Sequence, residues 1–174
     1  MQYQNLKQNV PFLLILVFNF AACTKSVSAI AHIKGVGSSQ INGVATFVEV
    51  NGFVKLVVEI RQADTDTVAI HIHEIGDCES SDGSSAGGHW NPTNEKHGKW
   101  GVPPFHSGDI GNMEISNNGK GSMVMKDHFK RWSITNPGNT NIIGRAIIIH
   151  SGVDDYSSQP SGAAGPRIGC GVIG

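Results

Sequence analysis

His71 and His73 stand two residues apart in an apolar run, and in a strand the side chains at i and i+2 share a face. Downstream, His89, His97, His106 and Asp109 follow one another at spacings of 8, 9 and 3 residues, and His150 closes a later apolar run. Imidazole nitrogens and carboxylate oxygens are ligands for first-row metals. Three imidazoles with one carboxylate suit zinc, whereas a set of imidazoles with an open position suits copper. Six histidines and one carboxylate exceed the four ligands of one tetrahedral site, so the pattern calls for two metals, or for one metal and a coincidence. Spacing alone does not assign each histidine to a site. His32 and His128 fall outside these runs and read as ordinary surface or partly buried residues. Met113, Met123 and Met125 form a candidate copper-binding set, but Met123 and Met125 share one strand face, and core packing is the simpler account.

The elements that must hold these groups are strands. With 174 residues the chain suits one domain, and 13 basic against 14 acidic residues make no electrostatic case for nucleic acid as a partner. Charged residues at 16% and 22 glycines argue against a helical bundle. Alternating apolar and polar residues predict strands at 29–36, 44–50, 53–62, 68–75, 110–116, 120–127, 143–150 and 168–173. Asn51-Gly52 is a strong hairpin turn between two of them, and Asn117-Asn118-Gly119 is read the same way between the fifth and sixth. The fold class is therefore all-β, an eight-stranded antiparallel barrel or sandwich with two long loops, 76–109 and 151–167. Long loops on a compact β domain are usually functional or disordered, and the histidines in the first favour function. Trp90 and Trp100 are expected to pack that loop on the barrel, with a candidate subunit contact near Trp100 that would make a homodimer.

Residues 1–22 read as a secretory signal: Lys7, the apolar run Phe12 to Phe18, then Ala21-Ala22 before Cys23. The run is far shorter than the roughly 20 residues of a bilayer crossing, so a permanent transmembrane helix is not expected. Small residues before a cysteine resemble the lipobox of bacterial lipoproteins, making Cys23 a lipid anchor and 23–28 a short tether ahead of a domain spanning 29–174. Export places the chain where disulfides persist, and with Cys23 so used Cys78 and Cys170 remain to pair.

The runs His71-Ile72-His73-Glu74-Ile75-Gly76-Asp77-Cys78, Ser85-Ala86-Gly87-Gly88-His89-Trp90-Asn91-Pro92 and Lys96-His97-Gly98 resemble copper/zinc superoxide dismutase. The likeness continues through His106-Ser107-Gly108-Asp109-Ile110-Gly111-Asn112, Ile149-His150 with Asp154-Asp155, and Pro166-Arg167-Ile168-Gly169-Cys170-Gly171-Val172-Ile173-Gly174. With Cys78 five residues after His73 and a signal segment, the chain resembles the bacterial members, which implies the periplasm or the outer membrane.

The resemblance implies a Greek-key barrel binding one copper and one zinc ion per subunit. It implies copper on His71, His73, His89 and His150, and zinc on His89, His97, His106 and Asp109, with His89 shared. It makes Asp154 the carboxylate that accepts hydrogen bonds from His71 and His97, and Arg167 the cation that attracts and positions superoxide. The implied reaction is disproportionation of superoxide to dioxygen and hydrogen peroxide at a redox-cycling copper, with His89 carrying a proton, as an antioxidant defence of the bacterial envelope. One departure stands out. The segment from His150 to Arg167 has no lysine, and Pro160 falls where many relatives carry a charged guiding residue, leaving Arg167 with Lys96 or Lys99 to steer the anion. The alternative is a non-catalytic copper/zinc-binding envelope lipoprotein. Loss of Arg167 or a copper ligand would favour it, and all are present.

Overall fold

The computed structural model describes residues 25–174, so the signal segment and Cys23 lie outside the described residues. Eight strands form: β1 (Ser26–Gly35), β2 (Asn42–Val50), β3 (Phe53–Arg61), β4 (Thr67–His73), β5 (Asp109–Glu114), β6 (Gly121–Lys126), β7 (Ala146–His150) and β8 (Arg167–Val172). Each was legible in the alternation of residue types. All pairings are antiparallel in the order β5-β4-β7-β8-β1-β2-β3-β6, and the outer strands β5 and β6 approach each other to nearly close a barrel. Inward positions such as Ala31, Phe47, Leu56, Ile70, Ile72, Ile147 and Ile149 fill it. Met113 is in this core and Met123 and Met125 pack against it, so these thioethers are packing groups. No described helix is long and apolar enough to cross a membrane.

The Asn51-Gly52 turn joins β2 to β3 with φ of 53° and 74°. The Asn117-Asn118-Gly119 turn also forms, closed by Ser116 and Lys120, but it does not make a hairpin. Its flanking strands ladder with different partners, β5 with β4 and β6 with β3, so the turn crosses the open seam of the barrel. Strand boundaries shift by one to three residues: β1 begins at Ser26, inside the expected 23–28 tether, because Ser26, Val27 and Ser28 pair with Val50, Glu49 and Val48. β4 stops at His73 because the Glu74 and Ile75 amides turn away to the Gly88 and Ala86 carbonyls. β7 starts at Ala146 rather than 143, and the residues before it belong to a third long connection, 127–145. That connection is held by carboxylates. Asp127 accepts from the amides of Phe129 and Trp132, and Glu49 on β2 accepts from Ser133, Ile134 and Thr135.

Candidate metal centre

His71 and His73 point outward from β4, opposite Ile70 and Ile72 in the core, as the strand period requires. The register shifts at two places in this half of the barrel, between Ile70 and His71 and between Ile149 and His150. Past the shifts His71 faces Asp109 and His150 faces Arg167. Bulges re-aim side chains, and both fall on residues of the site. The loop from β4 then runs back beside its own strand. Trp90 donates to the Ile72 carbonyl, Gly108 to the Trp90 carbonyl, and His89 bridges opposite His73. Glycine is required at 108, where a Cβ would stand 2.1 Å from the Ile72 oxygen.

Every histidine expected at the site is brought there. His71, His73, His89 and His150 form one four-donor set and His89, His97, His106 and Asp109 another, the donor atoms within each lying within 4.8 Å of one another. His32 and His128 are exposed and remote.

Five of the six rings have one nitrogen held from outside. His71 and His97 each donate through Nε2 to Asp154, to Oδ2 and Oδ1, both at 2.9 Å. His73 and His150 donate through Nδ1 to the carbonyls of Gly87 (2.9 Å) and Gly165 (3.0 Å), and His106 through Nε2 to the Glu95 carbonyl (3.0 Å). Each bond orients its ring and, in the neutral form, turns the other nitrogen's lone pair inward. His89 has no such outer acceptor: Nδ1 meets Asp109 Oδ1 at 2.9 Å and the buried Nε2 meets the first set.

The donors fit cations. His71 Nδ1, His89 Nε2, His97 Nδ1 and His106 Nδ1 are buried without a hydrogen-bond partner. The last two lie 3.0 and 3.2 Å from Asp109 Oδ1 without hydrogen-bond alignment, while Asp109 Oδ2 is occupied by the amides of Gly98 and His106. Lone pairs converging on an anionic oxygen need a positive charge between them.

Burial pushes His71 to about 3, His73 to about 2 and His150 to about 4, and lowers His89 as well, leaving free bases ready to ligate. Burial opposes ionisation of Asp154 and Asp109, but hydrogen bonds from the histidines outweigh it and hold both below the usual carboxylate range. For His97 burial again disfavours the charge, yet Asp109 and Asp154 raise it to about 9. Protonated His97 therefore stabilises the metal-free fold below its unfolded value of 6.5, and that contribution is lost as pH rises through about 9. Adding zinc to metal-free protein at pH 8 is expected to release about one proton per chain from His97, because metal binding needs the neutral ring. Titration in weak buffer checks this: release should fade above pH 9, and release unchanged with pH would contradict it.

Several residues of the site carried no sequence signal. Gln159 pairs with His97 through both backbone groups, its Oε1 accepting from the amide (2.9 Å) and its Nε2 donating to the carbonyl (3.0 Å). Trp132, fully in the core, donates to the Ser107 carbonyl (2.6 Å) under the histidine loop, a role expected only of Trp90 and Trp100. Trp90 is buried, and Trp100 packs on Phe105 and Trp132. Arg167 donates to the carbonyls of Gly83 (2.5 Å) and Gly87 (2.6 Å), so Gly87 serves both this cation and His73. Cys78 and Cys170 form a disulfide that ties the loop supplying those carbonyls to the strand bearing Arg167. A cleft of about 630 Å³ opens over His73, His89 and His150, with Arg167, Lys96 and Pro160 in its walls. Lys99 is elsewhere, its Nζ 5.5 Å above the Tyr156 ring.

An antiparallel barrel carrying two four-donor sets on one outer wall, joined by a shared histidine, defines a binuclear metalloprotein. The family model of copper/zinc superoxide dismutase matches residues 41–173, and the chain belongs to that family. It is 34% identical to superoxide dismutase [Cu-Zn] 1 of Aquifex aeolicus, over 90% of this chain and 91% of the relative. Identity to the superoxide dismutase [Cu-Zn] of Paramecium bursaria Chlorella virus 1 is 39%, over 87% and 80%. That of Saccharomyces cerevisiae is 36% identical, over 85% and 97%. The crystal structure of the clock protein EA4 matches with a TM-score of 0.74 at 34% identity, covering 84% of this chain and 93% of that one. The chain is accordingly a superoxide dismutase enzyme of the copper/zinc type, with those two metals as cofactors. Relatives from such different sources assign it no cellular setting.

Proposed function

We propose that His71, His73, His89 and His150 hold the copper, that His89, His97, His106 and Asp109 hold the zinc, and that superoxide reaches the first set through the cleft beside Arg167. The observation that carries this is the split of donor atoms: one set is all imidazole and has His73, His89 and His150 in the cleft wall, the other includes a carboxylate and reaches the cleft only through His89 and His106. When bound, copper supplies the one-electron redox couple by which two superoxide anions become dioxygen and hydrogen peroxide, and zinc supplies a fixed charge. The chain's own groups do the rest. Arg167, fixed by two carbonyls, presents its cation to the incoming anion, and Lys96 adds positive charge at the mouth. Asp154 holds rings of both sets in one tautomer. His89, the ring without an outer acceptor, is free to take up a proton at Nε2 and pass it to the product.

The reading extends to location: residues 1–22 are a cleaved signal, Cys23 a lipidated residue held in the bacterial periplasm or outer membrane, and the tether expected over 23–28 is shortened because β1 of the catalytic domain already begins at Ser26. The disulfide, which suits an oxidising compartment, supports export. Val102 and Phe129, exposed beside Trp100, support pairing of two copies there. The test is metal analysis of the purified protein with a superoxide-consumption assay. Copper and zinc at about one each with fast turnover is expected. The same metals without turnover would instead mark a non-catalytic metal-binding lipoprotein.

A further inference from the structure

The wall of the barrel opposite the metal donors has an unusual outer face. Across β1, β2, β3 and β6 the register lines up Ser26, Val50 and Phe53, then Ser28, Val48, Lys55 and Lys126, then Ile30, Thr46, Val57 and Val124. Their neighbours Ala29, Phe47, Val54, Leu56 and Val58 point into the core, so these rows point out. Ile30, Val50 and Val124 are 41%, 36% and 62% exposed, an apolar stretch on a solvent-facing sheet.

One end of this face is cationic. Lys55 and Lys126 are direct cross-strand partners, a like-charge pairing that costs stability unless something anionic answers it. The ammonium groups of Lys126 and Lys130 stand 5.3 and 5.1 Å from the same Phe53 ring. Among the described residues no carboxylate pairs with Lys25, Lys55, Lys126 or Lys130. The nearest acidic residues of these four strands leave the lysines unpaired: Glu49 is engaged by 133–135, and Glu59, on the same outward face, stands opposite Ser122, two rows past the Lys55 and Lys126 pair. Val48, Val50, Phe53, Lys55 and Lys126 surround a hollow of about 540 Å³. The chain enters the barrel at this same end. Ser26 pairs with Val50, and Cys23 lies three residues earlier, within about 10 Å of extended chain.

We infer that this face docks on an anionic phospholipid surface, the lysines meeting headgroup phosphates and Phe53, Val50 and Val124 the apolar boundary beneath. The inference rests on the anchoring proposed above for the nearness of the bilayer, while the face itself belongs to the folded barrel. A lipid surface fits better than a second copy of the chain, which would bring like charges together. Docked in this way, the cleft over His73 and His150 opens away from the membrane, because its donors leave β4 and β7 on the other half of the barrel.

The experiment is partition of the metal-loaded full chain onto phosphatidylcholine vesicles with and without phosphatidylglycerol. It compares the unaltered protein with K55Q/K126Q/K130Q, each with Cys23 intact and as C23S. Tighter binding to the phosphatidylglycerol vesicles is expected. Each lysine should contribute about fivefold, so the triple variant should lose on the order of a hundredfold, with metal content unchanged. Added salt should erode the same preference. A preference that survives the triple substitution, or no preference at all, would overturn the inference, as would a lipid-free dimer that Val124→Asp dissociates. Cys23→Ser separates the two readings. If it leaves all binding unchanged the anchor fails, and if only the lysine dependence is missing the docking face fails.

Discussion

Replacing His150 by alanine is expected to reduce superoxide turnover to background while about one zinc per chain stays bound. The His150 ring belongs to one donor set only: its Nε2 lies 3.4 Å from His73 Nε2, and its Nδ1 is spent on the Gly165 carbonyl. The change removes one of the four imidazoles of the all-imidazole set and leaves the donors of His89, His97, His106 and Asp109 in place. A loss of about a thousandfold or more, equivalent to about 4 kcal/mol in the barrier, is the scale expected when the redox ion is no longer held. The partner experiment is His106→Ala, which removes a donor from the carboxylate-containing set alone. Superoxide decay and metal content measured on the same samples decide the matter. Retained turnover in the His150 variant, or loss of both metals together, would sink the division of ligands.

The two donor sets show which parts of a site a sequence carries. The six histidines and Asp109 were readable because a metal donor must be a particular residue type, and His71 with His73 because the strand period is local. Nothing comparable marks Gly87, Gly165 or Glu95, which act through carbonyl oxygens that every residue owns. Position in space selects them, and position depends on long-range register. Gln159 was invisible for the same reason, since its amide reads the backbone of His97, 62 residues away.

The fold divides along the same line. Eight strands followed from alternation, and the Asn51-Gly52 hairpin from the φ preferences of two residues. The Asn117-Asn118-Gly119 turn obeyed those preferences too, but whether a turn makes a hairpin depends on which strands are free to pair. Here β3 and β4 had already taken the flanking strands. The connection 127–145 has no local signal, because its order comes from Glu49 and from Asp127, the first of them some 85 residues distant. The disulfide works by distance as well. Its two cysteines are 92 residues apart, a closure that stabilises by roughly 4–5 kcal/mol in the chain-entropy account. It also joins the loop that supplies the Gly83 and Gly87 carbonyls to the strand bearing Arg167, so one covalent link serves both stability and the placing of that cation.

The second large effect is expected at a residue with no side chain. Gly162 lies in the loop between β7 and β8 with φ of 66°, and a Cβ there would stand 1.9 Å from Asp154 Oδ1 and 2.6 Å from His97 Nε2. Alanine at 162 must push the carboxylate away from His97, and because that same carboxylate holds His71 the disturbance reaches both donor sets. Loss of an outer partner of a metal ligand typically weakens binding 10–100-fold, with estimates of roughly that size expected here for each metal. The left-handed backbone adds its own cost of roughly 1–2 kcal/mol for a residue with a Cβ. Gly52→Ala isolates that cost, since Gly52 has φ of 74° and nothing within 4 Å of its missing Cβ. The control should lower the melting temperature modestly and keep both metals through dialysis against a chelator, whereas Gly162→Ala should lose them. Asp154→Asn should act in the same direction more mildly: an amide oxygen can still accept from one ring, but its NH₂ then faces the N–H of the other. If Gly162→Ala resists the chelator as well as Gly52→Ala does, Asp154 is not the clasp that holds the two sites in register.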